Sequence, residues 1–121
     1  YGAGEREASG NLTFKAPSRQ GFLSDLATSA YVLCNGGHSL LSEALYLGKP
    51  VLCVPITMFY EQFFNGFFLE QMGFGRCLHE LTADAFPLFE KKLPQYQEAI
   101  SQHDFDGNAR IASLLLEWRG R

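Results

Sequence analysis

The pattern of apolar and polar positions is clearest between residues 30 and 55, where it predicts a strand, a helix and a second strand. Residues 31–34 and 51–54 are continuous apolar runs, as expected for parallel strands that are buried on both faces. Gly48 ends the helix between them, and Pro50 prevents its continuation. The apolar positions of that helix recur at helical spacing and form one packing face: Leu40, Leu41, Ala44, Leu45 and Leu47. The stretch therefore reads as a complete βαβ unit.

The same reasoning predicts further elements on both sides of this unit. They are a strand at 11–15, a helix at 19–28 capped by Ser18, a helix at 61–72, a short strand at 76–79, and helices that begin near Thr82 and Asn108. Pro94 is expected to break or bend the helix that begins near Thr82. The helix at 61–72 carries an aromatic stripe at helical spacing, next to Leu69, and we interpret this stripe as core: Phe63, Phe64, Phe67 and Phe68.

Composition narrows the possible functions without naming one. A chain of 121 residues allows one domain, and a hydrophobic content of 46% with 11 phenylalanines can form a packed core. The net charge of −3, without a basic run, argues against a nucleic-acid partner. No apolar stretch is long enough to cross a membrane, and no signal peptide is visible. Three cysteines fall in predicted strands, and we interpret them as reduced core residues: Cys34, Cys53 and Cys77.

Several hydrogen-bond donors are concentrated where the first strand of the βαβ unit passes into its helix. The first N–H groups of a helix have no acceptor inside the helix, and the helix dipole favours negative charge there. Gly36 and Gly37 leave these groups open to close approach by an anion. His38 and Ser39 add a ring N–H and a hydroxyl as further donors. This turn is therefore a candidate phosphate site.

Glu43 extends this hypothesis from a phosphate to a nucleotide. It lies one helical turn beyond Ser39, on the same face. A carboxylate in that position is badly placed to bind phosphate but well placed to accept hydrogen bonds from two sugar hydroxyls. An ordinary glycine turn followed by a solvated glutamate would show the same spacing, so the residues alone leave both interpretations open.

The order of several motifs resembles the donor-binding signature of GT-B glycosyltransferases. The matching residues are 34–43, 48–50, 54–55, Glu61–Gln62 and Asn65, and the resemblance covers residues 14–75. The sequence is most similar to the C-terminal domain of family 28, the group of the lipid-linked GlcNAc transferase of peptidoglycan synthesis. It is also similar to the signature of plant and animal UDP-sugar transferases.

This resemblance implies a role for each matching residue. Gly36, Gly37, His38 and Ser39 would hold the diphosphate, Glu43 the ribose hydroxyls, and Glu61 with Gln62 the donor sugar. Asn65 belongs to the same motif and is a candidate donor-binding residue; the alternative is that it only holds the neighbouring loop. Ser18 and Arg19 match, loosely, the loop that contacts the base. Leu40 stands where many relatives have a hydroxyl residue, and Glu61 where many have Asp.

The resemblance also implies the fold and the reaction. Residues 1–121 would be the C-terminal segment of a GT-B nucleotide-sugar-binding domain, an α/β Rossmann-like parallel sheet flanked by helices. Tyr1 to Glu5 is expected to be the end of a strand. The acceptor domain would be absent, so we expect a piece of a longer chain or one subunit of a split enzyme that is inactive alone.

The implied reaction is transfer of a sugar from a nucleoside diphosphate, UDP by resemblance, to an acceptor hydroxyl, with no cofactor or metal for donor binding. Expected partners are the missing N-terminal domain or a partner subunit, and a lipid-linked acceptor or the cytoplasmic membrane face. Two alternatives stay open: a non-catalytic donor-binding subunit, and a GT-B sugar-nucleotide epimerase. The Glu61–Gln62 pair and the 36–39 turn argue against the epimerase.

Overall fold

A computed structural model describes residues 6–119 and has an α/β fold. Its elements in chain order are α1 (Arg19–Thr28), β1 (Val32–Cys34), α2 (His38–Tyr46), β2 (Val51–Cys53), α3 (Tyr60–Gln71), β3 (Gly75–Cys77), α4 (Ala85–Glu90), α5 (Leu93–Ser101) and α6 (Asn108–Arg119). The βαβ unit and the flanking helices at 19–28 and 61–72 therefore lie where the sequence predicts them. The predicted strand end at residues 1–5 lies outside the described residues.

The sheet is parallel, with β2 between β1 and β3. Val51 and Cys53 point to one face, where they join Leu26, Leu41, Ala44 and Leu69 of the first three helices. Leu52 points to the other face and packs with Phe89 of α4 and Tyr96 of α5. This alternation divides the core between two faces. The fold is thus the Rossmann-like arrangement of a parallel sheet between helices that the sequence predicts.

The predicted strand at 11–15 is wrong. Among residues 6–119, this region forms only an isolated antiparallel bridge between Ser9 and Leu12, around Gly10 at φ +59°. A strand needs a neighbour that accepts and donates its backbone hydrogen bonds, and the described chain offers none here. Lys15 instead reaches Asp25 of α1, with its Nζ 2.6 Å from Oδ1.

The helix expected to begin near Thr82 is divided into α4 and α5. The break falls at Lys91–Lys92, and Pro94 lies in the first turn of α5. This agrees with the effect expected of Pro94, because a proline is tolerated at a helix start and not in its interior. Thr82 contributes its backbone carbonyl to Ala85 N–H, and no side chain caps α4.

The core interpretation of the aromatic stripe on α3 is also wrong within the described chain. Its four phenylalanines are between 41% and 60% exposed. The helix contacts the sheet through Gly66 and Leu69 instead, which are buried. Helical periodicity indicates a face that can be buried, but it does not say what covers that face.

Candidate functional site

The carboxyl edge of the sheet collects most of the residues that the sequence predicts as functional. β1 leads directly into the turn before α2, and β2 leads into the loop before α3. Because the strands are parallel, both connections lie at the same edge. Ligands of open parallel sheets bind beyond this edge.

Gly36 is held in a conformation and a space that only glycine fits. Its φ is +86°, in the left-handed region. A Cβ at this position would lie 2.8 Å from Cys53 Sγ and 2.9 Å from the carbonyl oxygen of Gln62. The turn therefore lies directly on β2 and on the first turn of α3.

Gly37, the N-cap of α2, has a different role. Its φ of −62° and ψ of 133° suit any residue, and a Cβ would meet only Asn35 Oδ1 at 3.8 Å. Because glycine has no side chain, it cannot cap the helix here. Within residues 6–119, the N–H groups of His38, Ser39 and Leu40 consequently have no acceptor, and the first intrahelical bond is Leu41 N–H to Gly37 O at 3.1 Å. These three amides point outward at the positive end of the helix dipole.

Three free cysteine thiols lie in a row below this turn. Cys34, Cys53 and Cys77 end the three strands in register. Burial, and then the neighbouring thiols, raises the pKa of Cys53 to about 12, and burial also raises the pKa of Cys34 and Cys77. The thiols therefore stay protonated near neutral pH and form uncharged packing beneath the turn rather than a nucleophile.

Gln62 and Asn65 fix the two loops of this edge to each other. The side-chain amide of Asn65 donates to the carbonyl oxygen of Gly36 at 3.0 Å. Gln62 Oε1 accepts from the backbone N–H of Ile56, also at 3.0 Å. Asn65 thus holds the turn before α2, and Gln62 holds the 56–60 loop. Within the described chain, the side-chain N–H₂ group of Gln62 donates to no acceptor.

The two helix starts at this edge differ in charge. The first turn of α2 contains no acidic residue, whereas the first turn of α3 contains Glu61, which is exposed. An anion is therefore favoured at α2 and disfavoured at α3. Glu61 and Gln62 offer acceptors and an amide donor that suit neutral hydroxyl groups, so the two helix starts favour different kinds of ligand group.

His38 and Glu43 lie on opposite flanks of α2. His38 lines a groove toward α3, together with Asn65 and Phe68. Glu43 is exposed and lines a groove of about 450 Å³ toward Leu23 and other residues of α1. The structure therefore brings Gly36, Gln62 and Asn65 together and places Glu43 on the α1 side of the turn, separate from the 56–62 segment. The other residues that line the Glu43 groove include Ala27 near the end of α1 and Tyr46 and Leu47 at the end of α2, and none belongs to the 35–39 turn.

Ser18 and Arg19 begin α1. Ser18 Oγ accepts from Gly21 N–H at 3.2 Å, so its hydroxyl oxygen caps the helix. Arg19 is exposed, and no ion pair of its guanidinium is found within residues 6–119. Since α1 runs antiparallel to the strand that follows it, its first turn lies on the side of the carboxyl edge.

Sequence reasoning missed the part of the edge beyond β3. His79, which follows β3, stacks on Phe63 with ring centroids 6.0 Å apart and closes an apolar pocket with residues 55–60. The rule that ligands bind beyond strand ends would have drawn attention to His79, because β3 ends two residues earlier. In the part of the chain that the structure describes, no group of three or more His, Cys, Asp or Glu side chains is arranged to hold a metal ion.

The fold and this edge define a Rossmann-like α/β protein, and comparison with known proteins gives the family. Residues 1–94 match the model of glycosyl transferase family 1. The chain therefore belongs to this family. It is also 28% identical, over 109 residues, to an uncharacterized glycosyltransferase of Methanosarcina mazei.

That alignment covers 79% of this chain but only 28% of the relative. The chain thus spans little more than a quarter of the length of the curated protein that it matches. The family match supports the predicted GT-B resemblance in general, whereas the narrower resemblance to family 28 stays a prediction. Among residues 6–119, none of the helices combines the length and the apolar character that a membrane span needs.

Proposed function

We propose that this chain binds the nucleoside diphosphate of a sugar donor, UDP by resemblance, for a glycosyltransferase of the family 28 type. The observation that carries the proposal is the uncapped start of α2, where three backbone N–H groups lack acceptors in the described chain. Family membership supports a glycosyl donor as the source of the anion. A diphosphate supplies the charge and the acceptor oxygens that these amides can bind.

The remaining donor groups are assigned from the residues on either side of α2. On the α1 flank, Glu43 accepts hydrogen bonds from the ribose hydroxyls, and the base extends toward Ser18 and Arg19. On the α3 flank, the side chains of Glu61 and Gln62 contact the donor sugar, while Asn65 holds the turn. The donor thus lies along the carboxyl edge from α1 to α3.

In the proposed reaction, the acceptor oxygen bonds to the anomeric carbon of the sugar while the bond from that carbon to the diphosphate oxygen breaks. The bonding pair leaves with the diphosphate, and the acceptor proton passes to a general base that we assign to the acceptor-binding domain. The α2 amides stabilise the charge that develops on the leaving group, which is electrostatic catalysis of the oxyanion-hole type. The 121-residue chain alone is then expected to bind donor without turnover.

The proposal is tested by calorimetric titration of the chain with UDP. Glu43→Ala removes a charge-assisted contact to the ribose, so we expect it to cost about 1.5–3 kcal/mol, or roughly 10- to 150-fold in Kd. Glu98→Ala is the matched control, because it removes the same charge from an exposed site on α5. An affinity that is unchanged by Glu43→Ala would remove this residue from the site, and no binding of UDP by the wild-type chain would contradict the proposal as a whole.

A further inference from the structure

The helix α6 has an apolar face that the described residues do not cover. None of its residues is buried, although it carries an apolar stripe at i, i+3, i+4 and i+7 spacing: Ile111, Leu114, Leu115 and Trp118. These four residues are between 51% and 82% exposed. Helices that dock into apolar grooves use the same spacing for the side chains that anchor them. The stripe of α6 is therefore suited to a groove on another surface.

The groove between α1 and α2, which contains Glu43, has the matching apolar character. Its volume is about 450 Å³, and most of its lining is apolar or aromatic: Leu23, Ala27, Tyr46, Leu47 and Phe105. Glu43 is the charged residue of this lining. The described part of the chain leaves the groove open, so it can receive a helix from elsewhere.

The segment between α5 and α6 fixes the direction in which α6 leaves the fold. Phe105 lines the α1–α2 groove, and α6 begins three residues later, at Asn108. Asp104 Oδ1 accepts from the N–H of Asp106 at 2.9 Å, and Asp106 Oδ1 accepts from the N–H of Asn108 at 3.1 Å. These bonds hold a turn. Within residues 6–119, no residue of α6 lines the groove, so α6 starts beside the groove of its own copy without filling it.

Charge favours this groove over a membrane as the surface that covers α6. At 100° per residue, Arg110 and Arg119 border the apolar stripe on opposite sides. The groove presents the carboxylate of Glu43, which complements an arginine at the border of a docked helix. The chain as a whole has a net charge of −3, which an anionic bilayer surface repels. Both the apolar and the charged positions of α6 thus match the groove.

We propose that α6 docks into the α1–α2 groove of a second copy of this chain, and that the second copy returns its own α6 in the same way. The exchange gives a closed dimer with two equivalent helix–groove contacts, and no apolar stripe is left over to bind a third copy. Because α6 starts beside the groove of its own copy, two copies whose grooves face each other can exchange helices across a short connection.

Glu43 connects this dimer to the proposed donor site. Its carboxylate cannot accept hydrogen bonds from ribose hydroxyls and pair with an arginine of the second copy at the same time. The dimer is therefore the donor-free form of the chain, and UDP and the second copy compete for the groove. By linkage, UDP weakens dimerisation by the same factor by which dimerisation weakens UDP binding.

Sedimentation equilibrium and tryptophan fluorescence test the dimer without nucleotide. Trp118 is the one tryptophan of the sequence, so its emission reports the burial of α6 directly. We expect the mass to rise from 13.5 kDa toward twice that value as the chain is concentrated through the micromolar range. The Trp118 emission should shift to the blue over the same range, because the indole leaves water.

Two matched pairs of variants assign the contact to the stripe and to the groove. Leu115 and Leu116 are 66% and 69% exposed, but only Leu115 belongs to the stripe. Leu115→Glu should weaken dimerisation at least about tenfold, and Leu116→Glu less than about twofold. Tyr46 and Tyr60 are 62% and 70% exposed, but only Tyr46 lines the groove. Tyr46→Ala should weaken dimerisation about fivefold through lost ring contacts, whereas Tyr60→Ala should leave it unchanged.

A chain that stays monomeric up to about 100 μM, or equal weakening by the two leucine variants, would overturn the inference. Dimerisation that Tyr46→Ala leaves unchanged would also overturn it, because α6 would then dock on another surface. A blue shift that does not depend on concentration would show docking within one copy, and one that requires anionic vesicles would show membrane binding; either result rejects the dimer.

Addition of UDP separates this inference from the proposed function. If UDP binds through Glu43 and leaves the dimerisation constant unchanged, the groove is not the docking site and the inference is wrong. If the chain dimerises with the expected dependence on Leu115 and Tyr46 but binds no UDP, the dimer stands and the proposed function is rejected.

Discussion

Two adjacent glycines show how much of the candidate site depends on single residues. Gly36 supplies a positive φ and the space between the turn and β2, whereas Gly37 has an ordinary conformation and open surroundings. The sequence predicted a glycine turn at this place but could not distinguish these roles. The same sequence motif contains both glycines, and only their backbone angles and neighbouring atoms show that their roles differ.

The role of Gly37 leads to a prediction with opposite effects on stability and binding. In Gly37→Asp, the carboxylate should accept from the first amides of α2 and stabilise the folded chain by a few tenths of a kcal/mol. The same carboxylate occupies and repels the diphosphate position, so UDP affinity should fall at least about tenfold. Thermal unfolding and calorimetric titration measure the two effects.

Gly37→Ala is the control for this change. It adds a Cβ in ordinary contact but no capping oxygen, so the α2 amides stay uncapped and UDP affinity should stay within about twofold. If the aspartate and alanine variants bound UDP equally well, the amides of α2 would not be the diphosphate site.

At the scale of elements, the sequence predicted best where local chemistry decides the outcome. Ser18 caps α1 and Pro94 lies in the first turn of α5 because capping and proline geometry act within a few residues. The strand at 11–15 was wrong because a strand depends on a partner elsewhere in the chain. The prediction that the aromatic stripe of α3 is core was wrong for a related reason: helical spacing does not show which other elements cover a helix face.

The contact of α3 with the sheet depends on Gly66. A Cβ there would lie 2.5 Å from Cys77 Sγ and 3.0 Å from Cys53 Sγ. Gly66→Ala should therefore lower the free energy of unfolding by about 1–3 kcal/mol, as overpacking does, in spite of the better helix propensity of alanine. Denaturant unfolding measures the loss.

Cys77→Ala in the Gly66→Ala background provides the control, because it removes the sulfur that the new methyl group meets. The double variant should recover part of the stability that the single Gly66→Ala variant loses, beyond what additivity gives. Strictly additive effects would show that α3 is not held against the thiol row at Gly66.

At the scale of the molecule, the fold class followed from the order of apolar runs and glycine–proline stops in the central βαβ unit. The degree of burial of the edge strands did not follow from this order. Leu33 of β1 is 43% exposed although its apolar run predicted burial on both faces, because β1 is an edge of the sheet in the described chain. The motif order predicted which residues lie at the carboxyl edge, but it did not predict that Glu43 lies on a different flank of α2 from His38.

The central claim is that the uncapped amides of α2 bind a diphosphate, and an amide-resolved NMR titration tests it most directly. On addition of UDP to the ¹⁵N-labelled chain, the backbone N–H signals of His38, Ser39 and Leu40 should shift most, and uridine, which lacks the diphosphate, should leave them nearly unchanged. Equal shifts with uridine and UDP, or UDP-dependent shifts confined to other parts of the chain, would contradict the account.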